Sequence, residues 1–195
     1  AICHKVGERE WLAARADALF VTEPDEDPLS VSQQAVDLLP EDAGGLRARV
    51  MATHARILSG YGRYDEAQSV GLDALAVAER LDLHELASDV ITTLSGLKKA
   101  GPKEGLRSAL ADAVERAVAT GAVHAEMRAR FFMGRSYQDW AEYADAERWF
   151  RSAMDTAVAA SLPWAPYGFE GRWQLSWVLY VQGDWDQVLE LTDVT

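Results

Sequence analysis

The segment Gly62-Arg63-Tyr64-Asp65-Glu66-Ala67 returns as Ala141-Glu142-Tyr143-Ala144-Asp145-Ala146 and again as Gly183-Asp184-Trp185-Asp186-Gln187-Val188. A weaker copy, Gly101-Pro102-Lys103-Glu104-Gly105-Leu106, lies between the first two. The closing residues Ala67, Leu106, Ala146 and Val188 are 39, 40 and 42 positions apart. A period near 40 in a chain of helical composition predicts stacked helix pairs, each burying its apolar face against the next. Such a chain works by presenting a surface rather than by enclosing a pocket.

Helical periodicity fills the pairs. Val50, Ala52, Ala55, Ile57 and Leu58 follow it, and Gly60 and Gly62 are placed to stop the helix. Asp65 and Glu66 then open a second helix, where their charge meets the positive end of its dipole, and Ala67, Val70, Ala74, Leu75 and Ala78 continue it. The same reading predicts pairs at about 44–80, 84–120, 123–160 and 165–195, with Gly101-Pro102 as one hinge and Gly183 as another turn. An incomplete pair at about 8–40 precedes them, joined by the acidic run Glu23-Pro24-Asp25-Glu26-Asp27-Pro28. The expectation is an all-α chain, a right-handed α-α superhelix of about four to five helix pairs forming one repeat domain over 1–195.

Composition sets outer bounds. A hydrophobic fraction of 49% excludes a wholly disordered chain, and no apolar run reaches the length that spans a bilayer. A formal charge of −12 argues against dedicated nucleic-acid binding, which draws its affinity from neutralising phosphates. Cys3 is the only cysteine, so no internal disulfide forms and a reducing, cytoplasmic setting is expected. The chain opens at Ala1 without a signal peptide or initiator Met and stops at Thr195 inside an expected second helix; it reads as a fragment of a longer protein.

The run Gly134-Arg135-Ser136-Tyr137, followed by Ala141, Tyr143, Ala146, Phe150 and Ala153, resembles the tetratricopeptide (TPR) pattern at nearly every spacing. The resemblance implies that Gly134 admits a close helix, that Tyr137 and Tyr143 fill the turn, that Ala146 sits at the crossing within the pair, and that Phe150 and Ala153 meet the next unit. Elsewhere the pattern decays: Ala55, Leu94 and Ser176 stand where Gly134 does, and Gly71 and Leu110 where Phe150 does. Repeats of this longer kind, with links such as Ala78-Glu79-Arg80-Leu81-Asp82-Leu83, resemble the C-terminal arrays of large ATP-dependent LuxR-type actinobacterial transcription regulators similar to the maltose-regulon activator. There a nucleotide-binding domain precedes the array and a DNA-reading domain follows it.

Catalytic and cofactor patterns find no support. Gly96 to Lys103 has phosphate-loop glycine spacing, but Pro102 replaces the required Lys. Asp25 and Asp27 are followed at once by Pro28, without the turning Gly or late Glu of a calcium loop. His84 and His124 are 40 apart and so occupy equivalent helix starts, with no third ligand. No metal, cofactor or enzyme activity is expected.

In TPR arrays the first helix of each pair lines the concave groove. The corresponding residues here are Arg49 and Arg56, then Lys98 and Lys99, then Arg128, Phe131 and Arg135, then Trp173, Trp177 and Tyr180. Spacings of seven place Arg49 with Arg56, and Arg128 with Arg135, on one helix face. The expected ligand is a protein or peptide segment, acidic or aromatic-bearing, or an anionic small effector. No nucleic acid or membrane is expected to bind this fragment, and its last pair is expected to self-associate through exposed apolar residues. The function anticipated is a non-catalytic sensing or oligomerisation array of a transcription regulator; the alternative is a free-standing adaptor or cochaperone scaffold.

Overall fold

The computed structural model describes residues 27–40, 43–97 and 103–193. Among them the regular structure is entirely helical: α1 (Pro28–Asp37), α2 (Gly44–Gly60), α3 (Tyr64–Arg80), α4 (His84–Leu97), α5 (Lys103–Thr120), α6 (Val123–Gln138), α7 (Tyr143–Ala159), α8 (Pro166–Gln182) and α9 (Trp185–Thr192). The chain divides into two compact units, Ala1–Lys98 and Lys99–Thr195. The boundary separates the two helices expected as one pair, leaving α4 in unit 1 and α5 in unit 2. The first helix of the upstream pair, at 11–20, lies outside the described residues.

In unit 1, α2 packs against α1, α3 and α4, and α3 against α4. In unit 2, α6 packs against α5, α7 and α8, while α8 also touches α7 and α9. Within each unit, the first helices of two successive pairs therefore touch, α2 with α4 and α6 with α8.

One turn recurs. At Gly62, Asp82, Gly121, Ala141, Ser161 and Gly183 the backbone takes a left-handed φ between 52° and 82°. The next residue's N–H reaches back five positions each time: Arg63 to Leu58, Leu83 to Ala78, Ala122 to Ala117, Glu142 to Tyr137, Leu162 to Ala157 and Asp184 to Leu179, at 2.8–3.0 Å. This is the Schellman closure, which satisfies carbonyls that a helix end leaves orphaned. Gly62 carries the turn, whereas Gly60 remains the last residue of α2.

The TPR-like register at α6 and α7 matches the geometry. A Cβ on Gly134 would stand 2.6 Å from Cε1 and 2.7 Å from Cδ1 of Phe150, whose side chain is fully buried. The aromatic ring fills the space that the glycine vacates. Ala146, Ala153 and Ala67 are likewise inaccessible to solvent. In unit 1 the sizes are redistributed: a Cβ on Gly71 would come within 2.7 Å of Leu94 Cδ2 and 3.7 Å of Ala55 Cβ. Both crossing residues of the α2–α3 pair are thus small, and Leu94 from α4 occupies the volume that Phe150 takes in unit 2.

Candidate functional site

The helix surfaces that carry the sequence's candidate residues fall in both units. In unit 1, Arg49 is exposed on α2 and Arg56 is half-buried one face-repeat later. Lys98 and Lys99 lie outside the described residues. In unit 2 the candidates sit on α6 and α8, which pack together.

Arg128 and Phe131 depart from the expected open groove. Arg128 is only 4% exposed; its Nε donates to the Tyr167 hydroxyl at 3.1 Å, and its guanidinium lies 5.4 Å from the Phe132 ring centre and 5.9 Å from that of Tyr167. The Phe131 ring is buried, 5.8 Å from Phe150, 5.6 Å from Tyr167 and 5.4 Å from Phe132. The reason is Tyr167, which the start of α8 brings over α6. A cation held among ring faces is stabilised by their quadrupoles but is not presented to a ligand. Arg135 stays partly exposed and pairs with Asp139 at 3.7 Å. The cationic stripe on α6 is therefore reduced to a guanidinium already facing a carboxylate.

Trp173, Trp177 and Tyr180 are open, at 64%, 46% and 63% exposure. Their spacings of four and three put them on one face of α8, opposite the buried Gly168, Gly171, Leu175, Val178 and Leu179. Trp177 meets the edge of Tyr143 at 6.1 Å between ring centres, which anchors one indole of the stripe. Apolar on both sides, α8 has the composition of a helix that is covered all round, yet one side is uncovered.

An ionic cluster escaped the sequence reading. Glu142, at the α6–α7 turn, accepts from Lys103 Nζ at 2.8 Å and from both terminal nitrogens of Arg107 at 3.1 Å. Arg107 also lies 3.7 Å over the Tyr137 ring, and Lys103 lies 5.5 Å from that of Trp140. The hydrogen bonds from Arg107 and then Lys103 hold the Glu142 carboxyl below its ordinary value. Lys103 and Glu142 are 39 residues apart, as are Arg128 and Tyr167. A search for complementary side chains one repeat length apart would have found both.

Asp27 caps α1, accepting from the Leu29 and Ser30 amides, and the Tyr61 hydroxyl donates to it at 2.8 Å; that bond is the main cause holding its carboxyl below the usual range. His84 and His124 are exposed near the starts of α4 and α6. Among the described residues no group of three or more His, Cys, Asp or Glu is placed to hold a metal, and no helix is long and apolar enough to cross a membrane.

No protein-family model matches the chain, and no curated protein matches it. Solved structures do. A Rap protein complexed with competence and sporulation factor superposes with a TM-score of 0.74 at 14% identity, over 84% of this chain and 46% of its own. BtubC (BKLC) from P. vanneervenii gives 0.63 at 16%, over 98% and 85%. TPR-like repeats described as a kinesin light chain of Podosopora anserina give 0.62 at 13%, over 95% and 92%. This chain thus spans about half the length of the Rap protein. At such identities the likeness concerns the fold, and the fold is an all-α array of TPR-like repeats.

Proposed function

We propose that the chain is a non-catalytic, protein-binding TPR-like array, and that in unit 2 its docking face is the aromatic stripe of Trp173, Trp177 and Tyr180 on α8. One observation carries the reading: three large aromatic side chains, each about half exposed or more, aligned on the first helix of a repeat pair. Rigid aromatics dominate binding energy at interfaces because they bury much area for little rotamer entropy. A Rap protein of like fold is itself known in complex with a bound factor. On unit 1, Arg49 and Arg56 are the candidates for an anionic group.

The test is selection of displayed random peptides on the parent, counter-screened on a variant with Trp173, Trp177 and Tyr180 all changed to Ala. Helicity of the variant should match the parent and melting should fall only slightly, since Trp173 and Tyr180 are mostly exposed and Trp177 alone has a ring contact, with Tyr143. Selected peptides should lose binding to it. Peptides that bind both proteins equally would remove α8 from consideration.

The wider context we propose is a transcription regulator of the LuxR type, with the array as its sensing module. It rests on the resemblance of the long repeats and inter-repeat links. A complete gene encoding neither a nucleotide-binding nor a DNA-reading domain would sink it. The adaptor reading has its own support, because the chain spans 85% and 92% of two solved chains of like fold, which therefore hold little besides such an array.

A further inference from the structure

We infer that the α8 face takes a basic, apolar peptide segment of a partner protein; the inference rests on the docking-face reading above and reverses the charge expected from the sequence. Between Pro166 and Asp193 there are five carboxylates, Glu170, Asp184, Asp186, Glu190 and Asp193, against a single cation, Arg172. That cation is committed inside the pair: its Nη1 donates to the Leu191 carbonyl at 2.9 Å, and its guanidinium lies 5.4 Å from the Trp164 ring centre.

No second cation is available on α8 or α9 to receive an anionic ligand. The exposed indole and phenol faces carry negative quadrupole charge, and the five carboxylates of the same helix pair add to the negative field of this end of the chain, so the surface attracts ammonium and guanidinium groups while burying apolar side chains. On α9, Trp185 and Leu189 extend the apolar area at 64% and 69% exposure, and no residue of that helix is buried. From Trp173 to Tyr180 the stripe runs about 10 Å along the helix axis, room for roughly two helical turns of a ligand. A second copy of this chain is disfavoured as occupant, because each copy carries a formal charge of −12.

The experiment titrates the full chain with three sets of synthetic peptides matched in length and apolar content, bearing Lys and Arg, or Asp and Glu, or neutral polar residues only. Binding is followed by tryptophan fluorescence and by anisotropy of labelled peptide. The basic set should bind saturably and weaken with added salt. Trp173→Ala and Trp177→Ala should each lower its affinity about fivefold. The double change Glu170→Lys and Glu190→Lys, both at exposed positions, should weaken the basic set and strengthen the acidic one.

A preference of the parent for acidic or neutral peptides, still lost on Trp177→Ala, would overturn the charge assignment and leave the docking face standing. Binding of the basic set that no aromatic variant disturbs would overturn both. Absence of saturable binding by the basic set overturns the inference. So does concentration-dependent dimerisation abolished by the aromatic variants, since it would make a second copy the occupant.

Discussion

Gly134 and Phe150 show how a single position governs a repeat. Phe150 lies where a Gly134 side chain would begin, so Gly134→Leu should overpack the crossing and cost about 1–3 kcal/mol. Thermal unfolding indistinguishable from the parent would contradict this contact. Phe150→Ala introduced beside Gly134→Leu should recover part of the loss by returning volume. The turn residues give the opposite sign: Ala141 holds φ 58°, where its Cβ is strained. Ala141→Gly should therefore stabilise by about 0.5–1 kcal/mol, while Gly121→Ala, at φ 66°, should destabilise by about 1 kcal/mol. A calorimetric comparison of both against the parent decides it. Gly134 was readable because a glycine within an apolar helix has few other reasons to be there. Asp82, Ala141 and Ser161 were not, since the Schellman bond imposes the left-handed turn whatever residue occupies it.

At the scale of elements, α1 is tied to α2 by a buried polar contact. His54 is 4% exposed and its Nδ1 lies 2.9 Å from the Ser32 hydroxyl, which also donates to the Leu29 carbonyl. Burial first, and the Arg63 cation second, hold the imidazole below its ordinary value of 6.5. The folded state then binds fewer protons than the unfolded one just below that value, so stability falls as pH drops through 6.5 toward the lowered folded value. His54→Gln, which cannot titrate there, should flatten the dependence of melting on pH between about 7 and 5. An unchanged slope would mean that the histidine is not what titrates. Helix spans were legible from periodicity and capping, whereas the burial of Arg128 and Phe131 was not. Periodicity assigns a residue to a face of its own helix; whether that face is open depends on Tyr167, which arrives one repeat later.

For the whole molecule, period and charge were legible, and the engagement of the individual cations was not, because net charge and a list of arginines say nothing about which side chains already have partners. The repeat also sets how a perturbation travels. An array held by neighbour-to-neighbour packing has stability that is a sum of local and interface contributions. Within unit 2, α6 meets α5, α7 and α8, so damage at Gly134 should be felt there first. Hydrogen exchange of Gly134→Leu should show protection lost in α6, α7 and α8, with α2 and α3 keeping parent-like rates. The His54→Gln change should give the complementary pattern, acting on α1 and α2 and sparing α7. Both follow from contacts that stay local along the chain. Uniform loss of protection through every helix in either variant would show instead that the chain opens as one cooperative body, and the additive picture of its repeats would fail.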